Sequence, residues 1–141
     1  MKTKLDVERL LAEANEMTYW LDGSGAYMGM KPVSGIPILP PELTKAVAEI
    51  AGHTGKRPRD IMLNKLPPGV EVPKHTDTVP GLPKRWHLPL ATNDGCMFWD
   101  EDSGEIHFPL GEWCGPVPYF KLHTVWNRGT TERVHLVVDL T

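Results

Sequence analysis

The segment from Arg133 to Leu140, Arg-Val-His-Leu-Val-Val-Asp-Leu, is the stretch of this chain that bears most directly on its fold. Its β-branched and leucine residues, in a run without glycine or proline, predict a strand. Successive side chains of a strand point to opposite faces of the sheet, so this segment has two different faces. One face is apolar and the other mostly polar: Val134, Leu136, Val138 and Leu140 on the first, and Arg133, His135, Val137 and Asp139 on the second.

The chain from Arg59 onward consists of short segments separated by Pro, Gly, Asn and Asp, which is typical of antiparallel sheet proteins. Four turns are marked by their residues: Pro67-Pro68-Gly69, Asn93-Asp94-Gly95, Asp102-Ser103-Gly104 and Asn127-Arg128-Gly129. Between them we predict strands at Ile61 to Leu66, Val70 to His75, Trp86 to Leu90, Cys96 to Asp100, Glu105 to Leu110, Tyr119 to Leu122 and Arg133 to Leu140. So many short strands favour a mainly β fold, a double-stranded β-helix or cupin-like jelly roll.

The N-terminal third predicts two helices that pack on the outside of the jelly roll. The first has Asp6 as its N-cap, and its apolar residues share one face at helical spacing: Val7, Leu10, Leu11 and Ala14. The second begins at Pro41 and ends at Gly52, with an apolar stripe formed by Leu43, Ala46, Val47 and Ile50. The region between them, Asp22 to Pro40, is rich in Gly and Pro and predicts a loop with a short strand near Ala26 to Met30.

A chain of 141 residues is long enough for one core and short for two, so we expect a single domain over residues 1–141. Residues 1–58 would form helical and loop support, and residues 59–141 the sheets with the site. The net charge of −3 does not favour a nucleic-acid partner. Cys96 and Cys114 form no Cys-x-x-Cys pair, which favours a reducing cytoplasmic compartment. Neither a signal peptide nor a membrane span is indicated.

A candidate metal site is formed by His75, Asp77 and His123, which offer two imidazoles and one carboxylate. Residues two apart in a strand point to the same side, so His75 and Asp77 can bind one ion, and His123 must come from a distant strand. Three ligands on one face leave positions open for other ligands, as non-haem iron(II) requires. A His-x-Asp pair also arises often by chance as a hydrogen-bonded surface pair, so it does not establish a site alone.

Arg133, ten residues after His123, strengthens this interpretation. A guanidinium on a sheet face beside a metal can hold a carboxylate through two charge-assisted hydrogen bonds. The alternative is an exposed arginine that pairs with Glu132 or Asp139.

Four stretches in this order resemble the aspartyl/asparaginyl β-hydroxylase family: His75-Thr76-Asp77, Arg85 to Leu90, His123 to Asn127 and Arg133 to Asp139. The resemblance covers roughly the last 80 residues, and ordered motifs are more specific than any one of them. It implies a jelly roll that uses iron(II), 2-oxoglutarate and dioxygen to hydroxylate an unactivated carbon. The family implies an amino acid, or an amino-acid side chain in a peptide or protein, as the substrate.

The resemblance also implies roles for individual residues. His75 and His123 would bind iron, and Arg133 would anchor 2-oxoglutarate. Arg85 and His87 match an Arg-x-His pair beside the co-substrate, and Asn64 lies where a polar contact to it is often supplied. The animal enzymes of the family lack a carboxylate at the position of Asp77, whereas this chain keeps it, which strengthens the metal site and weakens any transfer of the animal enzymes' protein substrate.

Two other functions remain open: a cupin-like metalloprotein, such as an isomerase or sensor, and a binding module without catalysis. His107 and His53 are expected to be structural, and His135 either supports the co-substrate or lies deep in the sheet. The basic cluster of Lys56, Arg57 and Arg59 is expected to be a solvated loop. The oligomeric state and the biological role are not indicated by the sequence.

Overall fold

The computed structural model describes residues 1–17, 20–23, 27–30 and 39–141, which form two helices and eight strands. The helices are α1 (Val7–Glu16) and α2 (Pro41–Thr54). The strands are β1 (Trp20–Gly23), β2 (Tyr27–Met30), β3 (Pro58–Leu66), β4 (Lys84–Ala91), β5 (Cys96–Asp100), β6 (Gly104–Ile106), β7 (His123–Asn127) and β8 (Arg133–Leu140). The predicted mainly β jelly roll with two N-terminal helices is confirmed.

The strands form two antiparallel sheets. The major sheet has the order β1-β2-β3-β8-β4, and the minor sheet has the order β6-β5-β7. Residues 70–75 extend the minor sheet beside β7 through bridges from Glu71 to Trp126 and from His75 to His123. Strand β8 lies between β3 and β4, where its backbone is paired on both sides.

The outer face of the major sheet packs against the helices. Val134, Leu136, Val138 and Leu140 of β8 belong to a buried cluster with residues of both helices, among them Leu10, Ala14, Leu43 and Ile50. Burying this apolar surface supplies the main driving force for folding. The alternation predicted for β8 is therefore confirmed, and its other face is free to point toward the minor sheet.

Both helices form close to where the sequence predicts them. Asp6 caps α1 by accepting a hydrogen bond from the backbone N–H of Arg9 at 3.3 Å. Pro41 is the first residue of α2, as predicted, but the predicted end at Gly52 is wrong. The helix continues to Thr54 because the left-handed residue that ends it is Gly55, with φ of 68°.

Four predicted strands, at Ile61 to Leu66, Trp86 to Leu90, Cys96 to Asp100 and Arg133 to Leu140, are present, the first two with longer bounds. Residues 70–75 form only isolated bridges, since Pro73 has no N–H to donate. Strand β6 ends at Ile106 instead of Leu110. The strand predicted at Tyr119 to Leu122 is wrong: a turn closed by Lys121 N–H to Pro118 O occupies it, and β7 begins at His123.

The short strand predicted near Ala26 to Met30 is present as β2, although Ala26 itself lies outside the described residues. Most of the loop predicted between Asp22 and Pro40 also lies outside them. Neither helix in the described part of the chain has the length and apolar character needed to cross a membrane.

Candidate active site

The inner face of the major sheet, which points toward the minor sheet, carries an unusual number of polar groups. Residues directly opposite each other in an antiparallel pair share a face. Arg133, His135 and Asp139 of β8 therefore share it with Asn64 of β3 and with two residues of β4, Arg85 and His87. Buried polar groups cost free energy unless they are paired, so their concentration on this face indicates a functional site.

The three predicted metal ligands converge at one edge of the space between the inner faces of the two sheets, here named the chamber. A backbone bridge brings His75 and His123 side by side: the amide nitrogen of each lies 2.9 Å from the carbonyl oxygen of the other. The ligand atoms of His75, Asp77 and His123 all lie within 4.8 Å of one another. The Nε2 atom of His75 is 3.5 Å from one oxygen of Asp77, and the Nε2 atom of His123 is 3.6 Å from the other. His123 is buried, whereas the side chains of His75 and Asp77 are more than a third exposed.

Backbone carbonyls hold both imidazoles in the orientation that metal binding requires. The Nδ1 atom of His75 is 2.6 Å from the carbonyl oxygen of Pro73, and Nδ1 of His123 is 2.8 Å from that of Lys121. A carbonyl can only accept, so each Nδ1 carries a proton, and a ring in its neutral form has its lone pair on Nε2. Both lone pairs then face Asp77, which is the arrangement of ligating histidines in metal sites.

Arg85 holds the carboxylate of Asp77 in place. Its Nη1 atom is 3.4 Å from Asp77, while Nε and Nη2 bind the two oxygens of Asp139 at 2.8 and 2.9 Å. When His123 is protonated, its Nε2–H donates a hydrogen bond that lowers the pKa of Asp77 against the opposing effect of burial, and the positive charges of the protonated histidines and of Arg85 lower it further. Burial lowers the pKa of His123, but the Asp77 hydrogen bond and the Lys121 carbonyl outweigh it, so the pKa of His123 is raised.

Arg133 lies at the buried end of the chamber. Its side chain is only 4% exposed, and among the described residues it has neither a hydrogen bond nor an ion pair. Glu132 pairs with Lys65 and Asp139 pairs with Arg85, so the alternative of an exposed, paired arginine is wrong. Burial lowers the pKa of Arg133 to about 10, which leaves it charged at neutral pH. An unpaired buried cation indicates a place for an anion.

Two buried histidines lie beside this cation. The Nδ1 atoms of His87 and His135 are 3.1 Å apart and form one hydrogen bond. Burial and the charge of Arg133 keep the pKa of both rings well below the usual value, so both are neutral. Asn64 lies opposite His135 on β3 and is half-buried. His135 therefore lies deep in the sheet and next to the predicted anchor.

Aromatic rings connect the two ends of the chamber. Phe98 of β5 stacks on His123 with 5.7 Å between ring centroids, and it stacks on Phe108 at 5.4 Å. Phe108 in turn lies 6.2 Å from the ring of His135. A small cavity beside Arg133 is lined by these two phenylalanines together with Thr92, Cys96 and His135.

The structure brings the three predicted metal ligands together. It places Arg133, Arg85, His87 and Asn64 on the inner face of the major sheet, with surroundings that differ from those predicted for Arg85 and His87. Arg85 lies at the metal end with its guanidinium bound to two carboxylates, and His87 contacts His135. Asp139, Thr92, Phe98 and Phe108 were missed. The Arg85–Asp139 pair could have been inferred from the alternation of β4 and β8, whereas the other three depend on how the sheets face each other. The Nδ1 atom of His107 lies 2.9 Å from the carbonyl oxygen of Cys96. This histidine is not part of the cluster formed by His75, Asp77 and His123.

Comparisons with known proteins show similar folds and a matching family. Two solved structures share the fold: a viral collagen prolyl hydroxylase from Paramecium bursaria chlorella virus-1, in its 2OG complex, and a prolyl-4-hydroxylase from Pseudomonas putida. The first has a TM-score of 0.61 and 14% identity, covering 99% of this chain and 92% of that one. The second has a TM-score of 0.56 and 16% identity, covering 95% and 84%.

A search of curated proteins finds no sequence match. The family model for aspartyl/asparaginyl β-hydroxylases matches residues 37–141. This range covers well over half of the chain and includes all of the candidate site residues. The chain therefore belongs to the aspartyl/asparaginyl β-hydroxylase family.

Proposed function

We propose that this chain is an iron(II)- and 2-oxoglutarate-dependent dioxygenase that hydroxylates an unactivated carbon. One observation carries the proposal: a His-Asp-His cluster and a buried, unpaired guanidinium lie on either side of Phe98, whose ring stacks on His123 and lines the cavity beside Arg133. The family and the shared fold of the two prolyl hydroxylases support it.

The donor set of the cluster fits iron(II). Two neutral imidazoles with Nε2 lone pairs and an ionised carboxylate, all on one side, leave room for a chelating oxo-acid and dioxygen. Iron(II) held by His75, Asp77 and His123 would supply activation of dioxygen, one atom of which enters the substrate while the other oxidises 2-oxoglutarate to succinate and carbon dioxide. Arg85 would keep Asp77 ionised and oriented, and the carbonyls of Pro73 and Lys121 would hold the imidazoles.

Arg133 would bind the carboxylate of 2-oxoglutarate that is remote from the metal. A two-pronged guanidinium contact fixes both the position and the direction of a carboxylate, and removal from water strengthens it. Because Phe108 lines the cavity and stacks on both Phe98 and His135, its ring would contact the carbon chain of the diacid.

The proposed primary substrate is an amino acid, or an amino-acid side chain in a peptide or protein. This choice rests on the family. The segment from Thr78 to Lys84 follows directly after Asp77, whose side chain is more than a third exposed, so it is a candidate for substrate selection. Leu82 in this segment is 64% exposed and has a positive φ of 44°. A second candidate for substrate selection is the segment from Tyr19 to Lys31, part of which lies outside the described residues.

The proposal is tested by mixing the protein with iron(II) and 2-oxoglutarate without oxygen and recording the visible charge-transfer band. We expect the band in the wild type, its loss in Asp77→Ala, and an affinity for 2-oxoglutarate at least about a hundredfold weaker in Arg133→Met. Matched controls are the exposed Asp94→Ala and Arg57→Met, which should keep the band.

Absence of the band in the wild type would favour a cupin-like metalloprotein that uses no oxo-acid. A band with unchanged affinity in Arg133→Met would refute the role of Arg133. The substrate is then sought by screening amino acids and peptides for stimulated 2-oxoglutarate consumption, with mass spectrometry to locate the added oxygen. Asp77→Ala should abolish the succinate formed in response to substrate.

A further inference from the structure

Three side-chain groups around the cavity beside Arg133 have no partner among the described residues. Arg133 itself forms no hydrogen bond or ion pair, and the Nε2 atom of His135 and the hydroxyl of Thr92 are buried without a hydrogen-bond partner. An unsatisfied buried polar atom costs about 1 to 3 kcal/mol, so three around one small cavity call for an explanation. A ligand that accepts hydrogen bonds from all three would provide it.

We infer that His135 and Thr92 complete the carboxylate subsite with Arg133, and that carboxylate binding there selects the tautomer of the buried His135–His87 pair. The inference deepens the proposed function and rests on it, because the carboxylate is the remote one of the 2-oxo diacid. The three groups come from two elements: Arg133 and His135 are two apart on β8, and Thr92 follows the end of β4.

The tautomer follows from the single hydrogen bond between the two rings. Both imidazoles are neutral, so each has one N–H and one lone pair. With Nδ1 facing Nδ1 at 3.1 Å, one ring donates and the other accepts. If His135 donates, its Nε2 has a lone pair, which a carboxylate would repel. If His87 donates, His135 carries its proton on Nε2 and can donate to the carboxylate.

A bound carboxylate therefore favours the second arrangement, in which the proton of His87 is on Nδ1 and its Nε2 is a lone pair. His87 is 94% buried, so water cannot readily move its proton from one ring nitrogen to the other. Carboxylate binding at Arg133 and His135 therefore also decides which nitrogen of His87 carries its proton. The net charge of the two histidines does not change. His135 is thus a ligand-binding residue, and His87 is a positioning residue that acts through it.

Two amide substitutions of His135 separate the two nitrogen atoms. The side-chain NH2 of Gln can replace Nε2–H, whereas the shorter Asn can replace only Nδ1. We expect His135→Asn to weaken 2-oxoglutarate binding about tenfold and His135→Gln to stay within about threefold, because only Gln keeps the contact to the carboxylate. The measurement is the dissociation constant from the charge-transfer band of the iron(II) protein without oxygen.

A second ligand distinguishes a direct contact from a general disturbance. The compound 2-oxobutyrate keeps the keto acid and lacks the remote carboxylate, so its affinity should be the same in the wild type and His135→Asn. Thr92→Val, which keeps the shape and removes the hydroxyl, should weaken 2-oxoglutarate and leave 2-oxobutyrate unchanged. It also provides an independent test if either variant of His135 fails to fold.

A readout without metal comes from the ¹⁵N resonances of the histidine rings in the metal-free chain titrated with glutarate. We expect the His135 proton on Nε2 and the His87 proton on Nδ1 when glutarate is bound. Equal binding by His135→Asn and His135→Gln, equal losses for both oxo-acids, or glutarate bound with the His135 proton on Nδ1 would each overturn the inference. If the wild type shows no charge-transfer band but glutarate still selects this tautomer, the carboxylate subsite stands and the proposed function fails.

Discussion

The two faces of strand β8 are buried to the same degree but have opposite chemistry. All eight of its residues are buried. On the outer face, Val134, Leu136, Val138 and Leu140 pack against the helices, whereas the inner face carries Arg133, His135 and Asp139. The outer face supplies free energy of folding, and the inner face costs free energy wherever its groups lack partners. The comparison shows how one strand can stabilise the fold with one face and serve a site with the other.

The two ends of the inner face of β8 also differ from each other. Asp139 is fully paired, since Arg85 binds both of its oxygens. Arg133 and the Nε2 of His135 have no protein partner among the described residues. Arg85 and Asp139 are thus arranged to hold Asp77 in position, whereas the other end of the face is arranged to receive a ligand.

The largest expected effect is on the outer face. Leu136→Ala removes a fully buried side chain from the core cluster and should lower the free energy of unfolding by about 2 to 5 kcal/mol. Urea denaturation at neutral pH measures it, and Leu110→Ala, at a position 52% exposed, is the control with an effect within about 0.5 kcal/mol. A loss under 1 kcal/mol for Leu136→Ala would mean that this face is not the stabilising one.

The next effect is the response of the inner face to acid. Burial is the main cause of the lowered pKa of His87 and His135, so the unfolded chain takes up protons at these rings before the folded chain does. Their contribution to stability is complete above the unfolded pKa and is lost as the pH falls toward the folded values. Below about pH 6.5 we expect each histidine to remove about 1.4 kcal/mol per pH unit.

Urea denaturation at a series of pH values measures this slope. His135→Gln should remove the part of the slope that His135 contributes, whereas Leu110→Ala, which removes no titratable group, should leave the slope unchanged. A slope identical in wild type and His135→Gln would show that the buried pair does not resist protonation.

The smallest expected effect on stability is at Arg133. Arg133→Met replaces an unpaired buried cation by an apolar side chain of similar length, so the free energy of unfolding should rise or change by less than about 1 kcal/mol. The same variant should lose 2-oxoglutarate binding, which separates it from a core substitution. A large loss of stability would show that Arg133 has a structural role and would break the contrast between the faces.

Much of the fold follows from local patterns. The alternation of β8, the cap at Asp6 and the start of α2 at Pro41 were all predicted, because each depends on residues close together in the chain. The errors lie where a local signal competes with proline. Pro73 reduces residues 70–75 to isolated bridges, and a turn after Pro118 shifts the following strand so that it begins at His123.

The sequence by itself determined that His75 and Asp77 point to one side and that Arg133 and His135 share a face, since a strand repeats every two residues. Only the tertiary structure decided that His123 lies beside His75, that Asp139 holds Arg85 and not Arg133, and that Thr92 and two phenylalanines line the cavity next to Arg133. These contacts join residues from separate strands and loops. Which of them meet depends on how the two sheets pair and face each other, and no local period in the chain encodes that.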